Sequence, residues 1–175
     1  MKSQPQLGEA DVDRVLCALG SGHFLLTSHH GGKRAGITTR WVMACAHTPL
    51  LVSAAVRRGH WIAPLIRDSH TFAICAVDPG ATLLLRKCAE TCRPRDGDPF
   101  DCVSTTRLAT GAPILEGEGL ALDCEVRRHI DLEADYELYV GLVIATRVDG
   151  VVTKLASSEC DLASVAPRSA RGPRR

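Results

Sequence analysis

Residues 36–66, "GITTRWVMACAHTPLLVSAAVRRGHWIAPLI", decide how the rest of the chain is read. Their β-branched and small apolar residues suit a pleated strand. The first half continues a strand that begins upstream and runs through "KRAGITTRWVMAC". "PLLVSAAV" is the next strand, with Pro49 at its start, where a missing ladder donor does no harm. The pattern then breaks into Arg57, Arg58, Gly59, His60 and Trp61. "WIAPLIRDS" follows as a helix of one to two turns that holds Pro64 in its first turn, where proline is tolerated. A strand end, a flexible glycine and a helix start bring free amides and positive charge together, the arrangement an anion needs. One of the two arginines can hold a phosphate bidentately, and strand alternation lets only one of them face it. The same spacing also suits a solvated turn with surface arginines.

Upstream, "HFLLTSHHGGKRAGITT" predicts two strands around a Gly-Gly turn. Before it, "EADVDRVLCAL" at 9–19 sets Val12, Val15, Leu16 and Leu19 on one helical face. Downstream, "HTFAICAV" is a strand and "ATLLLRKCAE" a short helix. A polar loop follows, "TCRPRDGDP". "LALDCEVRRHI" then alternates Leu120, Leu122, Cys124 and Val126 with Ala121, Asp123, Glu125 and Arg127. "YELYVGLVIATRV" sets Leu138, Val140, Leu142 and Ile144 on one face. Period two over such lengths predicts long, half-buried antiparallel strands. Asp149-Gly150 marks a tight hairpin. Short turns and few helices predict a mainly β fold, an antiparallel barrel of Greek-key type with short helices. One domain over 1–165 is expected, ahead of a disordered arginine-rich tail at 166–175.

The chain has 175 residues, 45% hydrophobic and 23% charged, the balance of a globular protein with a real core. A formal net charge of +1 gives no global field toward nucleic acid or membrane, so an anion site has to be built locally. No apolar run approaches a membrane span. The polar start "MKSQPQLGEADVDR" lacks a secretory pattern, and a cytoplasmic location is expected. Of the eight cysteines, Cys45, Cys75 and Cys124 fall in apolar strand runs, where a thiol acts as a small hydrophobe. Cys88 and Cys92 could form half a zinc site, but no nearby second pair completes it, and no metal is expected. There is no GxSxG, P-loop or GxGxxG, so nucleophilic hydrolysis and Rossmann-type dinucleotide binding have no support.

The ordered series "SGHFLLTS", "GITTRWVMACAHTPLLVSAAV", "IRDSHTFAICAV", "DPFDCV", "GAPILEGEGLALDCEV" and "YELYVGLVIA" resembles the flavin reductase-like family, which has the FMN-binding split-barrel fold. The resemblance covers residues 14–150. It implies that Thr38, Thr39, Arg40 and Trp41 lie along the isoalloxazine ring, with Cys45 and Ala46 as the next contacts. Arg57, Arg58, Gly59, His60 and Trp61 fall where relatives hold the FMN phosphate with a hydroxyl-rich turn. Arg86 and Lys87 fall on a second basic spot near that phosphate. Asp135, Tyr136 and Glu137 fall where many relatives carry Asp-His near the nicotinamide. The resemblance further implies NAD(P)H:flavin oxidoreductase activity, with FMN (or FAD) as cofactor and NAD(P)H as co-substrate. No side chain is required as catalytic acid or base. A homodimer and a monooxygenase that takes the reduced flavin are the expected partners. The alternative is an FMN-binding electron carrier or accessory module without NAD(P)H turnover. A third reading is the same fold without flavin.

Overall fold

The structure is a computed structural model that describes residues 22–47, 49–89, 98–117, 119–148 and 150–155. The helix expected at 9–19, Cys92, most of the polar loop and the tail at 166–175 lie outside the described residues.

β1 (Phe24–His30) and β2 (Lys33–Thr39) form an antiparallel hairpin with His30 opposite Lys33. Gly31 and Gly32 both have positive φ, 55° and 77°, which suits a two-residue turn between right-twisted strands. The strand expected to run on through residue 45 instead breaks at Arg40. β3 (Val42–Ala46) leaves β1 and pairs with β4 (Leu51–Arg57). The corner is held by the Thr39 hydroxyl, which donates to Ala55 O at 3.2 Å and accepts from Trp41 N at 3.2 Å. A hydroxyl that serves both turns of the chain lets the backbone change neighbours without leaving polar groups unpaired.

α1 (Ile62–Ser69) buries Ile62, Ala63 and Ile66. Pro64 sits in its first turn as expected, and left-handed His70 ends it by donating its amide to Ile66 O at 2.9 Å. β5 (Thr71–Ala76) pairs with β1, α2 (Thr82–Lys87) follows, and β6 (Thr105–Thr106) pairs with β7 (Ile114–Leu115). The long hairpin of β8 (Ala121–Asp131) and β9 (Tyr136–Val148) comes next, and β10 (Val151–Lys154) returns along β9. The eight-stranded sheet runs β2-β1-β5-β8-β9-β4-β3, with β10 on β9. The antiparallel β fold is as expected. Its hydrogen-bonded path is open rather than closed, because β2 and β3 are its two edges.

The sheet carries apolar clusters on both faces. The inner one joins Leu26, Ile37, Val52, Val56, Ile62, Ile66, Phe72, Ile74, Tyr139 and Val143. The outer one packs Leu25, Ala73, Cys75, Leu84, Cys88, Phe100, Ile114 and Ala121 beneath α2 and the arm at 98–115. This second layer corrects the half-buried reading of β8. Ala121 and Asp123 are fully buried, and Asp123 accepts the amides of Ala109 and Thr110 and the Thr110 hydroxyl. Bulges at Asp123/Cys124 and Val126/Arg128 re-aim the strand between the two layers. On β9 the burial falls on Glu137, Tyr139, Gly141 and Val143, whereas Leu138, Val140 and Ile144 remain partly exposed. Leu142 is buried on their side.

Candidate functional site

The chain's outer surface near the start of β9 gathers several of the expected residues. Arg57, the last residue of β4, is the register partner of Tyr136, the first of β9. Trp41, just past the corner, packs edge-on against Tyr136 with ring centroids 4.3 Å apart and planes at 68°. Paired positions share a face of the sheet, so Trp41, Arg57 and Tyr136 form one wall with an aromatic body and a cationic end. β3 continues that wall. Met43, Ala44 and Cys45 are exposed, and β3 is a sheet edge, so its outward backbone groups have no strand partner among the described residues. Cys45 sits at the bulge between Ala44 and Ala46, so it is solvent-facing rather than the buried thiol its apolar run suggests. Cys75 and Cys124 are buried as expected, and burial pushes both thiols up, Cys75 to about 11.

The basic turn divides its labour. Arg58 forms an ion pair with Asp131 and donates its amide to Asp135 O at 2.8 Å, which ties the turn to the β8–β9 loop. The Glu133 amide and the Arg58 guanidinium hold Asp131 below the usual carboxylate range. Arg57 is exposed and has no side-chain partner among the described residues. Gly59, with φ of 74°, turns the chain inward. His60 then goes into the interior, 6% exposed, and its Nδ1 accepts from Ile62 N at 3.2 Å. Burial pushes its imidazole down to about 4. Trp61 is partly buried and lines a separate cavity of about 550 Å³ with Lys33, Arg34, Pro64, Leu65 and Asp98.

Other expected contacts lie elsewhere or are already engaged. Thr39 is buried in the corner, and exposed Arg40 follows it. Thr38 faces α2, where its amide and hydroxyl both donate to Cys88 O, at 2.7 and 3.2 Å. That bond sets Arg86 and Lys87, in the last turn of α2, beside the end of β2. Gly36 permits the approach, since a Cβ there would meet Cys88 Sγ at 3.0 Å.

Glu137 does not share a face with Tyr136. It points inward, 5% exposed, and accepts from His129 Nε2 at 2.7 Å and from the Tyr139 hydroxyl at 3.1 Å. The His129 ring stacks on Tyr139 at 4.6 Å. Burial, then the Glu137 carboxylate, pushes the Tyr139 phenol up. Sequence reasoning missed His129 and Asp131 as partners. The signal was the short loop at 132–135, which sets Asp131 opposite Glu137 and His129 opposite Tyr139.

The wall suits a flat, partly polar ligand. Among the described residues it offers an aromatic pair, a strand edge whose outward backbone groups have no strand partner, and the exposed Arg57. Among the described residues no helix is long and apolar enough to cross a membrane.

Comparison with known proteins adds the lineage. The family model described as flavin reductase like domain matches residues 16–157. A protein of Nostoc sp. named as a diflavin flavoprotein is 31% identical over 150 residues, 85% of this chain and 25% of the relative. An NADPH-flavin oxidoreductase of Streptomyces viridifaciens is 29% identical over 130 residues, 74% of this chain and 67% of the relative. The chain thus spans about a quarter of the length of the diflavin relatives it matches. Among solved structures, the NADH:FAD oxidoreductase SgcE6 of Streptomyces globisporus superposes with a TM-score of 0.67 at 20% identity, over 89% of this chain and 99% of that one. At that identity the likeness is one of fold.

Proposed function

This chain belongs to the flavin reductase-like family, and on that premise we propose that it is an NAD(P)H:flavin oxidoreductase acting on FMN or a related flavin. The observation that carries the reading is the Trp41–Tyr136 pair beside the open edge of β3, with Arg57 at its end. When bound, a flavin accepts hydride at N5 from the nicotinamide and passes the electrons on. Backbone groups of β3 and the peptide at Arg40–Trp41 would hydrogen-bond the polar edge of the flavin. Trp41 would limit its sliding, and the exposed Arg57 would meet its tail only as a solvent-screened charge. Tyr136 would hold the nicotinamide over the ring, which makes positioning the main contribution of the protein. None of these side chains has to exchange a proton for hydride to move.

A homodimer fits the same reading. Met43 on β3 and Val148, Val151 and Val152 at the β9–β10 hairpin are 63, 48, 66 and 49% exposed, and a second copy would cover such apolar side chains. Light scattering that gives only the 18.8 kDa monomer would count against it. The reading places the protein in the cytoplasm and a flavin-consuming monooxygenase downstream of it. The carrier alternative draws on Asp135, Tyr136 and Glu137, which by the resemblance fall where many relatives carry Asp-His. Anaerobic titration of the protein and FMN with NADH or NADPH tests the choice. Bleaching of oxidised flavin at rates that depend on protein supports the reductase. Tight FMN binding with no bleaching by either nucleotide leaves the carrier.

A further inference from the structure

The N-terminus of a helix presents free amides, and with its dipole it forms a ready anion site. In α1 the amides of Ile62 and Ala63 are already engaged, as is that of His60 just before it. His60 N donates to Arg57 O at 3.0 Å, and Ala63 N donates to His60 O at 3.0 Å. Ile62 N donates to the Nδ1 of His60 at 3.2 Å. Of the amides at 60–63, only that of Trp61 has no partner among the described residues. The imidazole therefore stands in the acceptor role that a phosphate oxygen takes at an open helix end. As the acceptor, Nδ1 carries no proton, which assigns the proton to Nε2. The ring is 6% exposed, and with burial pushing it down to about 4 it brings no positive charge at neutral pH. The neighbouring cations do not replace it. Arg58 pairs with Asp131, and both Arg58 and Arg57 are exposed, where charge contacts are weak and screened by salt.

We infer that His60 is a specificity-determining residue that closes the α1 N-terminus to phosphate, so that the protein selects its flavin by the ring and not by the phosphate. The inference rests on the flavin reading for the identity of the ligand, and on the hydrogen bonds of the turn for the closure. Riboflavin, FMN and FAD then compete on similar terms. Such a flavin exchanges as a substrate rather than staying as a clamped prosthetic group.

The test uses the wild-type chain, His60→Ala, which removes the acceptor, and His60→Asn, whose Oδ1 can still take the Ile62 amide. Dissociation constants for riboflavin and FMN come from quenching of flavin fluorescence. The wild type and His60→Asn should bind the two within about threefold of each other. His60→Ala should favour FMN by about tenfold, the size of one charge-assisted phosphate contact. A wild-type preference for FMN beyond about tenfold overturns the inference, as does an unchanged ratio in His60→Ala. Should His60→Ala fail to fold, the wild-type ratio still decides, and imidazole nitrogen NMR reports the tautomer. A proton on Nδ1 overturns the closure. Thermal melts in inorganic phosphate against chloride at matched ionic strength separate this inference from the flavin reading. If no flavin binds, but phosphate stabilises His60→Ala and not the wild type, the flavin reading falls and the closure stands. Equal stabilisation of both proteins overturns the closure.

Discussion

The two faces of β9 alternate residue by residue between Tyr136 and Val143, yet they do different work. The inward residues Glu137, Tyr139, Gly141 and Val143 are all buried within one chain. The outward residues Tyr136, Leu138 and Val140 are only partly covered and stand beside Trp41 and the exposed β3. The apolar content of the outward face is no lower, so hydrophobicity alone does not say which face is core. What separates them is the partner. Phe72, Cys124 and α1 close over the inner face, whereas Tyr136, Leu138 and Val140 on the outer face stay partly exposed.

The largest effect should come from the inner face at Gly141. A Cβ there would lie 2.5 Å from the Phe72 ring and 2.9 Å from Cys124 Cβ. Gly141→Ala should cost about 3 kcal/mol by overpacking, read as a lower denaturant midpoint. A loss under about 1 kcal/mol would mean that the inner face is looser than described.

Glu137→Ala comes next. It strips the buried Tyr139 hydroxyl and His129 of their shared acceptor and should cost about 2 kcal/mol in chemical denaturation. It should leave flavin affinity unchanged, because Glu137 faces away from the Trp41–Tyr136 wall. A selective rise in KM for NAD(P)H without loss of stability would move Glu137 back to the outer face.

His60 tests the interior through pH. Its folded value of about 4 lies below its ordinary 6.5, so the unfolded chain binds the extra proton first. Stability from keeping His60 neutral is thus fully present above 6.5 and declines as pH falls toward 4. The slope approaches about 1.4 kcal/mol per pH unit within that window. In His60→Asn this contribution to the slope should vanish. A wild-type profile that matches the variant's would show that the ring is not held neutral.

The smallest cost in stability should fall on the outer face. Tyr136→Ala should lower stability by under about 1 kcal/mol, since the ring is half-buried and packs against Trp41. It should raise the apparent KM for NAD(P)H by about fivefold while flavin affinity holds. If stability falls instead and both kinetic constants stay, the outer face is structural at this position.

Much of this architecture was legible in the chain. Gly31-Gly32 announced the first hairpin, the Pro64 helix fell at its place, and the alternation in β8 and β9 marked the longest pair. The break at Arg40 was not legible. Residues 33–45 read as one strand, because the Thr39 hydroxyl bond to Ala55 O that turns the corner links positions 16 residues apart. The phase of β9 was not legible either, for both of its faces carry apolar side chains. In the candidate site, the charges and the glycine of the basic turn could be read from its letters. Which arginine pairs with Asp131, and that His60 turns inward, could not.

The sequence by itself determined the element types, most of the turns and the family, because these depend on local backbone preference, periodicity and the order of motifs. The tertiary structure alone decided which face of each strand is core, that Glu137 and Tyr136 point apart, and that His60 caps its own helix. Those outcomes depend on what packs over a residue from distant parts of the chain. Burial then sets whether a histidine is a cation for a ligand or a neutral acceptor for its own backbone.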